Sequence, residues 1–240
     1  MKQLYIYLSI IICLCLLFFY SPINAQSSRK YKLSGFRGVE IGGAFEVHLK
    51  KSPTFYVTAE GHEDDLEKLQ FDIEKGVLEV TFKDMGGNWG FNFKNRHQHV
   101  TLQIGLPELK EAEFTGASKL MMSGFGNEEE IKLYFSGASK AIIEDIDAEK
   151  LSLDLSGASK VKVSGKVVKF NVESSGASSI EAFPLITRDS DINLSGASKV
   201  EITVKNSLHV DASGAAKVVF KGNPLVSKDL SGAAVVRRME

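Results

Sequence analysis

The chain has 240 residues, 43% hydrophobic and 25% charged, and its 29 basic residues against 30 acidic ones leave a formal net charge of −1. That balance excludes the basic footprint of a nucleic-acid binder. The length fits one elongated β-domain or two smaller pieces.

Residues 1–25 read as a secretory signal peptide. Lys2 supplies a positive start, Leu8 to Phe19 form an apolar stretch short for a membrane span, and Ser21-Pro22-Ile23-Asn24-Ala25 ends in a small residue suited to cleavage. Removing this leader takes one lysine and no acids, leaving 28 basic against 30 acidic residues in an exported chain that begins at Gln26. Both cysteines, Cys13 and Cys15, leave with it. A secreted chain without disulfides must draw its stability from its core. Residues 26–35, which open on the polar Gln26-Ser27-Ser28-Arg29-Lys30, are expected to form a flexible lead without a membrane span. The expected location is the periplasm, the outer-membrane surface or the extracellular space.

Residues 36–108 carry strand signals without a clean repeat. Val39-Glu40-Ile41 and Phe45-Glu46-Val47-His48-Leu49 flank Gly42-Gly43-Ala44, a degenerate turn. Phe55-Tyr56-Val57-Thr58-Ala59 follows a Ser52-Pro53 turn, and Glu60 to Leu69 could hold a short helix. Leu69 to Ile73 and Val77 to Phe82 bracket Lys75-Gly76 as a hairpin, and Val100 to Ile104 forms a further strand. This region is expected to begin the solenoid described below, with hairpin excursions that cap its end. Between these strands lies Asp84 to His97, rich in glycine and asparagine and holding the only tryptophan. Long loops of this kind often carry function, and Trp89, Phe91, Phe93 and Arg96 are candidate ligand-binding residues, their rings suited to stacking on a sugar face. His97 and His99 could place two imidazoles on one side of a strand. Two ligands without a third make no metal site, so no metal or cofactor is expected.

From residue 109 to 240 a short motif recurs seven times, with its glycines at Gly116, Gly137, Gly157, Gly176, Gly196, Gly214 and Gly232. Five copies read Ser-Gly-Ala-Ser or Thr-Gly-Ala-Ser and the last two Ser-Gly-Ala-Ala, at spacings of 21, 20, 19, 20, 18 and 18 residues. Self-similarity at this period marks a stack of units that bury apolar faces against one another. Two and four residues before each glycine, and four and six after it, the columns are apolar with few exceptions, while most intervening columns are polar. Period-two alternation of this kind predicts strands with one buried face. The predicted fold is all-β, a parallel β-solenoid with coils of about 20 residues, each holding two short strands, a tight turn at the motif and a looser second turn. In the tight turn glycine supplies an unusual backbone angle, alanine is expected to fold over the core, and the serines bond turn amides or the serine of the next coil. A serine nucleophile would need a general base in reach, and among the copies only one has a histidine near it, His209.

Two charged columns flank the turn. Three residues after the glycines stand Lys119, Lys140, Lys160, Ser179, Lys199, Lys217 and Val235, and three before them Glu113, Tyr134, Asp154, Glu173, Asn193, Asp211 and Asp229. The acids are expected to offset the repulsion between stacked lysines, which is just under ~1 kcal/mol per neighbour in water. A binding strip for an anionic polymer or glycan is the functional alternative, with Lys140, Lys160 and Lys199 as its candidates.

These features together resemble the head GIN domain of auto-transporter adhesins, exported proteins common in the Bacteroidetes. The resemblance spans Phe36 to Val226 and rests on three features. They are Phe36-Arg37-Gly38-Val39-Glu40-Ile41-Gly42-Gly43-Ala44-Phe45-Glu46-Val47, Gly76-Val77-Leu78-Glu79-Val80, and the Ser-Gly-Ala-Ser copies. It implies a right-handed β-helix-like fold at the cell envelope and supplies no catalytic residues. The expected function is therefore non-catalytic: a binding or scaffolding solenoid whose partner is a glycan or another cell-surface component. The alternative is a carbohydrate-active enzyme, a polysaccharide lyase or hydrolase, on a parallel β-helix. Such a site needs carboxylates or a base clustered in a cleft, whereas the acids here recur evenly in most coils.

Overall fold

Each arm of the repeat offers alternate residues to one side, so an arm can bury its apolar side chains only by stacking on the arm of the coil before it. The computed structural model describes residues 27–83 and 99–239, and there the arms stack as one parallel β-solenoid. The expected signal peptide and the segment with Trp89, Phe91, Phe93, Arg96 and His97 lie outside the described residues. Among the described residues no helix is long and apolar enough to cross a membrane.

The regular coils are β10 (Gly126–Gly137), β11 (Lys140–Gly157), β12 (Lys160–Gly176), β13 (Ser179–Gly196) and β14 (Lys199–Ala212). Each pairs in parallel with the next, so that Leu133, Leu153, Val172, Ile192 and Val210 form one buried file. Within β11 to β14 the two strands of a coil run on into each other. The second turn is a bend in a continuous strand, marked in β11 by the consecutive exposed residues Glu144 and Asp145. Differences in coil length are absorbed at this bend, where the register shifts after Ile143, Lys162 and Ala182.

The tight turn is built by a file of glycines. Gly43, Gly116, Gly137, Gly157, Gly176 and Gly196 are register partners from coil to coil. Gly157 has φ +98°, a conformation costly for any other residue, and a Cβ there would lie 2.5 Å from the carbonyl oxygen of Gly137. That carbonyl accepts the Ala158 N–H at 2.8 Å, so the two coils cannot part to make room. Gly42-Gly43-Ala44 is the lowest member of the file.

The alanines do not fold over the core. Ala117, Ala138, Ala158, Ala177 and Ala197 are exposed, and the residue after each, Ser118, Ser139, Ser159, Ser178 and Ser198, points inward and is buried. The left-handed glycine rotates the chain so that the second residue after it returns to the core. The Ser118 hydroxyl donates to the Gly43 carbonyl at 2.9 Å, and Ser198 shares a 2.9 Å hydrogen bond with Ser174, the one polar residue in an otherwise apolar file. The Ser139 and Ser159 hydroxyls have no hydrogen-bond partner among the described residues.

The N-terminal end is folded back on itself. Strands β2 (Gly38–Gly43) and β3 (Phe45–Lys51) lie parallel beneath β8 (Glu111–Gly116) and β9 (Lys119–Ser123). Under them lie β6 (Val77–Phe82) and β7 (Val100–Leu106), again parallel. Antiparallel strands close this end: β5 (Leu69–Glu74) forms the Lys75-Gly76 hairpin with β6, and β4 (Tyr56–Gly61) pairs with β7. Between β4 and β5 sits the short helix α1 (Glu63–Leu66). Residues 27–31, expected within a flexible lead, instead form strand β1 (Ser27–Tyr31), because β4 still has an open edge for it to pair with. At the other end, β15 (Lys217–Lys221), β16 (Leu225–Leu230) and β17 (Val235–Arg238) finish the stack. There Lys228 and Arg238 occupy the register positions of the buried Val210 and Phe220, and charge at such positions discourages a further strand from adding.

Replacing Gly157 with valine is expected to cost about 1–3 kcal/mol, read as a lowered melting temperature, whereas Lys160→Ala should cost less than about 0.5 kcal/mol. The serines should divide by partner: Ser118→Ala loses about 1 kcal/mol, while Ser159→Ala removes an unsatisfied buried hydroxyl and leaves stability unchanged or raised. Equal losses in the two serine variants would mean that both hydroxyls are equally bonded.

Candidate functional site

Register carries each outward side chain of one coil onto its equivalent in the next, so the solenoid displays long rows. On the arm after the glycine, one row runs Glu60, Thr101, Glu46, Lys119, Lys140, Lys160, Ser179, Lys199, Lys217 and Val235. Beside it a second row runs Lys30, Thr58, Gln103, His48, Met121, Ile142, Lys162, Glu181 and Glu201. The lysine row is thus continuous with the outer surface of β1, β4 and β7.

On the arm before the glycine, Asp72, Glu79, Glu40, Glu113, Tyr134, Asp154, Glu173, Asn193, Asp211 and Asp229 form a row ten strands deep. The row beside it adds Glu74, Glu111 and Asp191, and its one lysine, Lys132, lies 3.6 Å from Glu130. The expected compensation across the turn is not what the ion pairs show. Lys160 and Lys162 hold Glu181 at 2.5 and 3.0 Å, Lys199 pairs with Glu201, and Lys119 meets Glu46 at 2.8 Å. All of these partners lie on the lysine face itself, because arms on opposite sides of the turn point their side chains in different directions. Among the described residues no ion pair joins the lysine row to the acidic row.

The two faces differ in electrostatics accordingly. The hydrogen bonds from Lys160 and Lys162 hold the Glu181 carboxyl below the usual carboxylate range, and the hydrogen bond from Lys119 does so for Glu46. On the acidic face, burial and then the adjacent Glu113 push Glu40 up. Burial, followed by Glu40, Glu74 and Asp72, pushes Glu79 up.

At the N-terminal end the lysine face opens into a groove of about 870 Å³ between β1, β4 and the Pro53-Thr54 turn. Tyr31, Leu33 and Phe55 line it, with Phe55 packed against the buried Phe36 at 5.0 Å between ring centroids. Tyr56, 37% exposed, lies over Gly105, where a Cβ would stand only 2.0 Å from the ring. Lys30 and Lys32 rise from β1 and the residue after it, without an ion-pair partner among the described residues. On the opposite side Gln103 donates to Glu60 at 3.0 Å, fixing both polar groups at the rim. The groove thus offers a fixed aromatic ring, two free cations and an amide–carboxylate pair. Among the described residues no group of three or more His, Cys, Asp or Glu is disposed to hold a metal.

Lys140, Lys160 and Lys199 stand in one exposed or half-buried row on the lysine face. The candidates Trp89, Phe91, Phe93 and Arg96 lie outside the described residues, in the segment that joins β6 to β7. Glu60 pairs in register with Thr101, so the groove ends close to where that segment rejoins the sheet. Sequence reasoning missed the groove, since Tyr56 read only as part of a strand. The available signal was Gly105: a glycine inside a strand marks a place where another group lies against the backbone.

The family model described as "Putative auto-transporter adhesin, head GIN domain" matches residues 35–224. Among solved structures, one described as a putative adhesin from Bacteroides fragilis is 18% identical, with a TM-score of 0.76 over 91% of this chain and 99% of that one. One described as a putative lipid binding protein from Parabacteroides distasonis is 22% identical, with a TM-score of 0.69 over 90% and 97%. A putative adhesin from Parabacteroides merdae is 16% identical, with a TM-score of 0.66 over 90% and 96%. At these identities the likeness is one of fold. No curated protein matches the chain.

The opposed shifts on the two faces give a test by pH. A raised carboxyl such as Glu79 contributes stability when protonated and loses it as pH rises through its folded value. A lowered one such as Glu181 contributes above its ordinary value, and the contribution is lost as pH falls through the folded one. Glu79→Gln should therefore melt above the parent protein at pH 7, with the gap closing below about pH 4.5. Calorimetry across that range checks it; a variant that melts at or below the parent throughout would show that the stacked carboxylates carry no cost.

Proposed function

The chain belongs to the head GIN domain family of auto-transporter adhesins, non-catalytic exported β-solenoids of the cell envelope, and from that premise we propose that its N-terminal groove binds an acidic glycan at a cell surface. The observation that carries this reading is the Tyr56 ring seated on Gly105, beside the free amines of Lys30 and Lys32. A ring held flat by the backbone beneath it offers its open face to the C–H groups of a sugar without losing freedom on binding. The two lysines supply charge for a carboxylate or sulfate, and Glu60 and Gln103 supply hydrogen bonds for hydroxyls. A volume near 870 Å³ lies within the range of about 300–1,000 Å³ common for ligand pockets. Trp89, Phe91, Phe93 and Arg96, outside the described residues, remain candidate ligand contacts on the chemistry of their side chains alone.

A second reading uses the same groove. Its apolar lining of Tyr31, Leu33 and Phe55 beneath two lysines would also take an amphiphile with an anionic head, in keeping with the lipid-binding description of the Parabacteroides distasonis protein.

A glycan array of acidic and neutral sugars, run beside vesicles with and without anionic lipid, separates the readings. Binding to acidic glycans should fall at least about tenfold, or ~1.4 kcal/mol, in Tyr56→Ala and in the Lys30→Ala, Lys32→Ala double variant. Trp89→Ala combined with Phe91→Ala should also weaken it with the fold intact. Capture of vesicles alone would favour the amphiphile. Loss of binding on replacing Lys140, Lys160 and Lys199 by alanine, with the Tyr56 variant still binding, would move the site to the lysine row.

A further inference from the structure

Among the described residues no ion pair answers the carboxylates of the acidic row. Tyr134 and Asn193 interrupt it, but Asp72, Glu79, Glu40 and Glu113 stand on four adjacent strands, and Asp154 neighbours Glu173 as Asp211 neighbours Asp229. Carboxylates about 4.8 Å apart, the spacing of paired strands, repel by just under ~1 kcal/mol per neighbour in water. Such a row fits a partner that brings cations at the same interval. The lysine row of this chain does so, because both rows are generated by one coil rise. Any whole-coil displacement of one rod along another therefore keeps the spacing of the two rows matched, with gaps at Tyr134, Asn193 and Ser179. Lys140 and Lys217 have no ion-pair partner among the described residues; Lys160 shares Glu181 with Lys162 and Lys199 pairs with Glu201, and both lysines stay roughly half exposed.

We propose that copies of this chain associate side by side, the acidic row of one solenoid docking on the lysine row of the next. The contact joins two different faces of the same molecule. Each added copy leaves one acidic and one basic face free, and growth does not stop at a dimer unless the rotation between copies closes a ring. The raised Glu40 carboxyl, pushed up by burial and by Glu113, accords with a face that gains from meeting positive charge. The groove is not needed for this contact, so the inference stands apart from glycan binding.

Sedimentation of the exported chain tests it. At low salt the average mass should rise with concentration beyond twice that of the monomer. It should return to monomer near ~1 M salt, where screening acts within about 3 Å. The triple variant Asp154→Lys, Glu173→Lys, Asp211→Lys should be monomeric at low salt, and so should Lys140→Glu, Lys160→Glu, Lys199→Glu. Mixing the two should restore association. The neutral variant Asp154→Asn, Glu173→Gln, Asp211→Asn guards against misfolding, since it relieves repulsion; it should melt no lower than the parent yet associate less. A parent protein that stays monomeric at low salt, or charge-reversed variants that associate as the parent does, would overturn the proposal.

Discussion

The solenoid depends on one repeated backbone contact, the carbonyl of each turn glycine accepting the alanine N–H of the coil above. From Ala138 to Ala233 these bonds measure 2.7–2.9 Å, and each needs a glycine carrying positive φ and no Cβ. The contact fixes the corner, and the corner fixes the register of the arms on either side. A side chain at any one glycine would press on the carbonyl below at 2.4–2.9 Å in the seven motif copies. Stability in such a stack runs through nearest neighbours, so damage at one corner weakens two interfaces.

Tolerance is placed elsewhere in the coil. The second bend accepts differences of one and three residues between successive coils, as the register shifts after Ile143, Lys162 and Ala182 show. Phe183 and Pro184 bulge there, with the Lys221 amine 4.5 Å from the Phe183 ring centroid. The rigid corner and the elastic bend together let coils of unequal length keep their apolar files aligned.

The same alignment that buries the core also sorts the surface. Alternation sends the third residue before each glycine out on one arm and the third residue after it out on the other, and the corner turns those arms apart. A chain of nearly zero net charge thereby acquires one acidic face and one lysine-bearing face. The fold-back of β7 beneath β3 and of β4 beside β7 extends the lysine-bearing face past the repeats, and β1 extends it once more, while β6 beneath β2 extends the acidic face. The groove at Tyr56 is a product of that extension, where antiparallel strands meet the stack and leave a gap beside the Pro53 turn.

The sequence by itself determined the stack. The spacing of the Ser-Gly-Ala-Ser copies, the alternating files through Leu133 and Leu153, and the Lys75-Gly76 hairpin are local patterns, and local patterns decide strands and turns. Register between successive repeats follows from the repeats being alike, so the rows of charge could also be named from residue counts. Only the tertiary structure decided what those rows face. The inward turn of the serine in place of the alanine depends on the rotation at a left-handed glycine. The pairing of Lys160 with Glu181, and not with the acidic row, depends on the angle between arms. The return of β6 and β7 beneath β2 and β3 joins residues far apart in the chain, for which no repeat supplies a register. Gly105 marks a close approach in the sequence, but that Tyr56 is the ring seated there depends on the pairing of two strands far apart in the chain, and only folding brings them together.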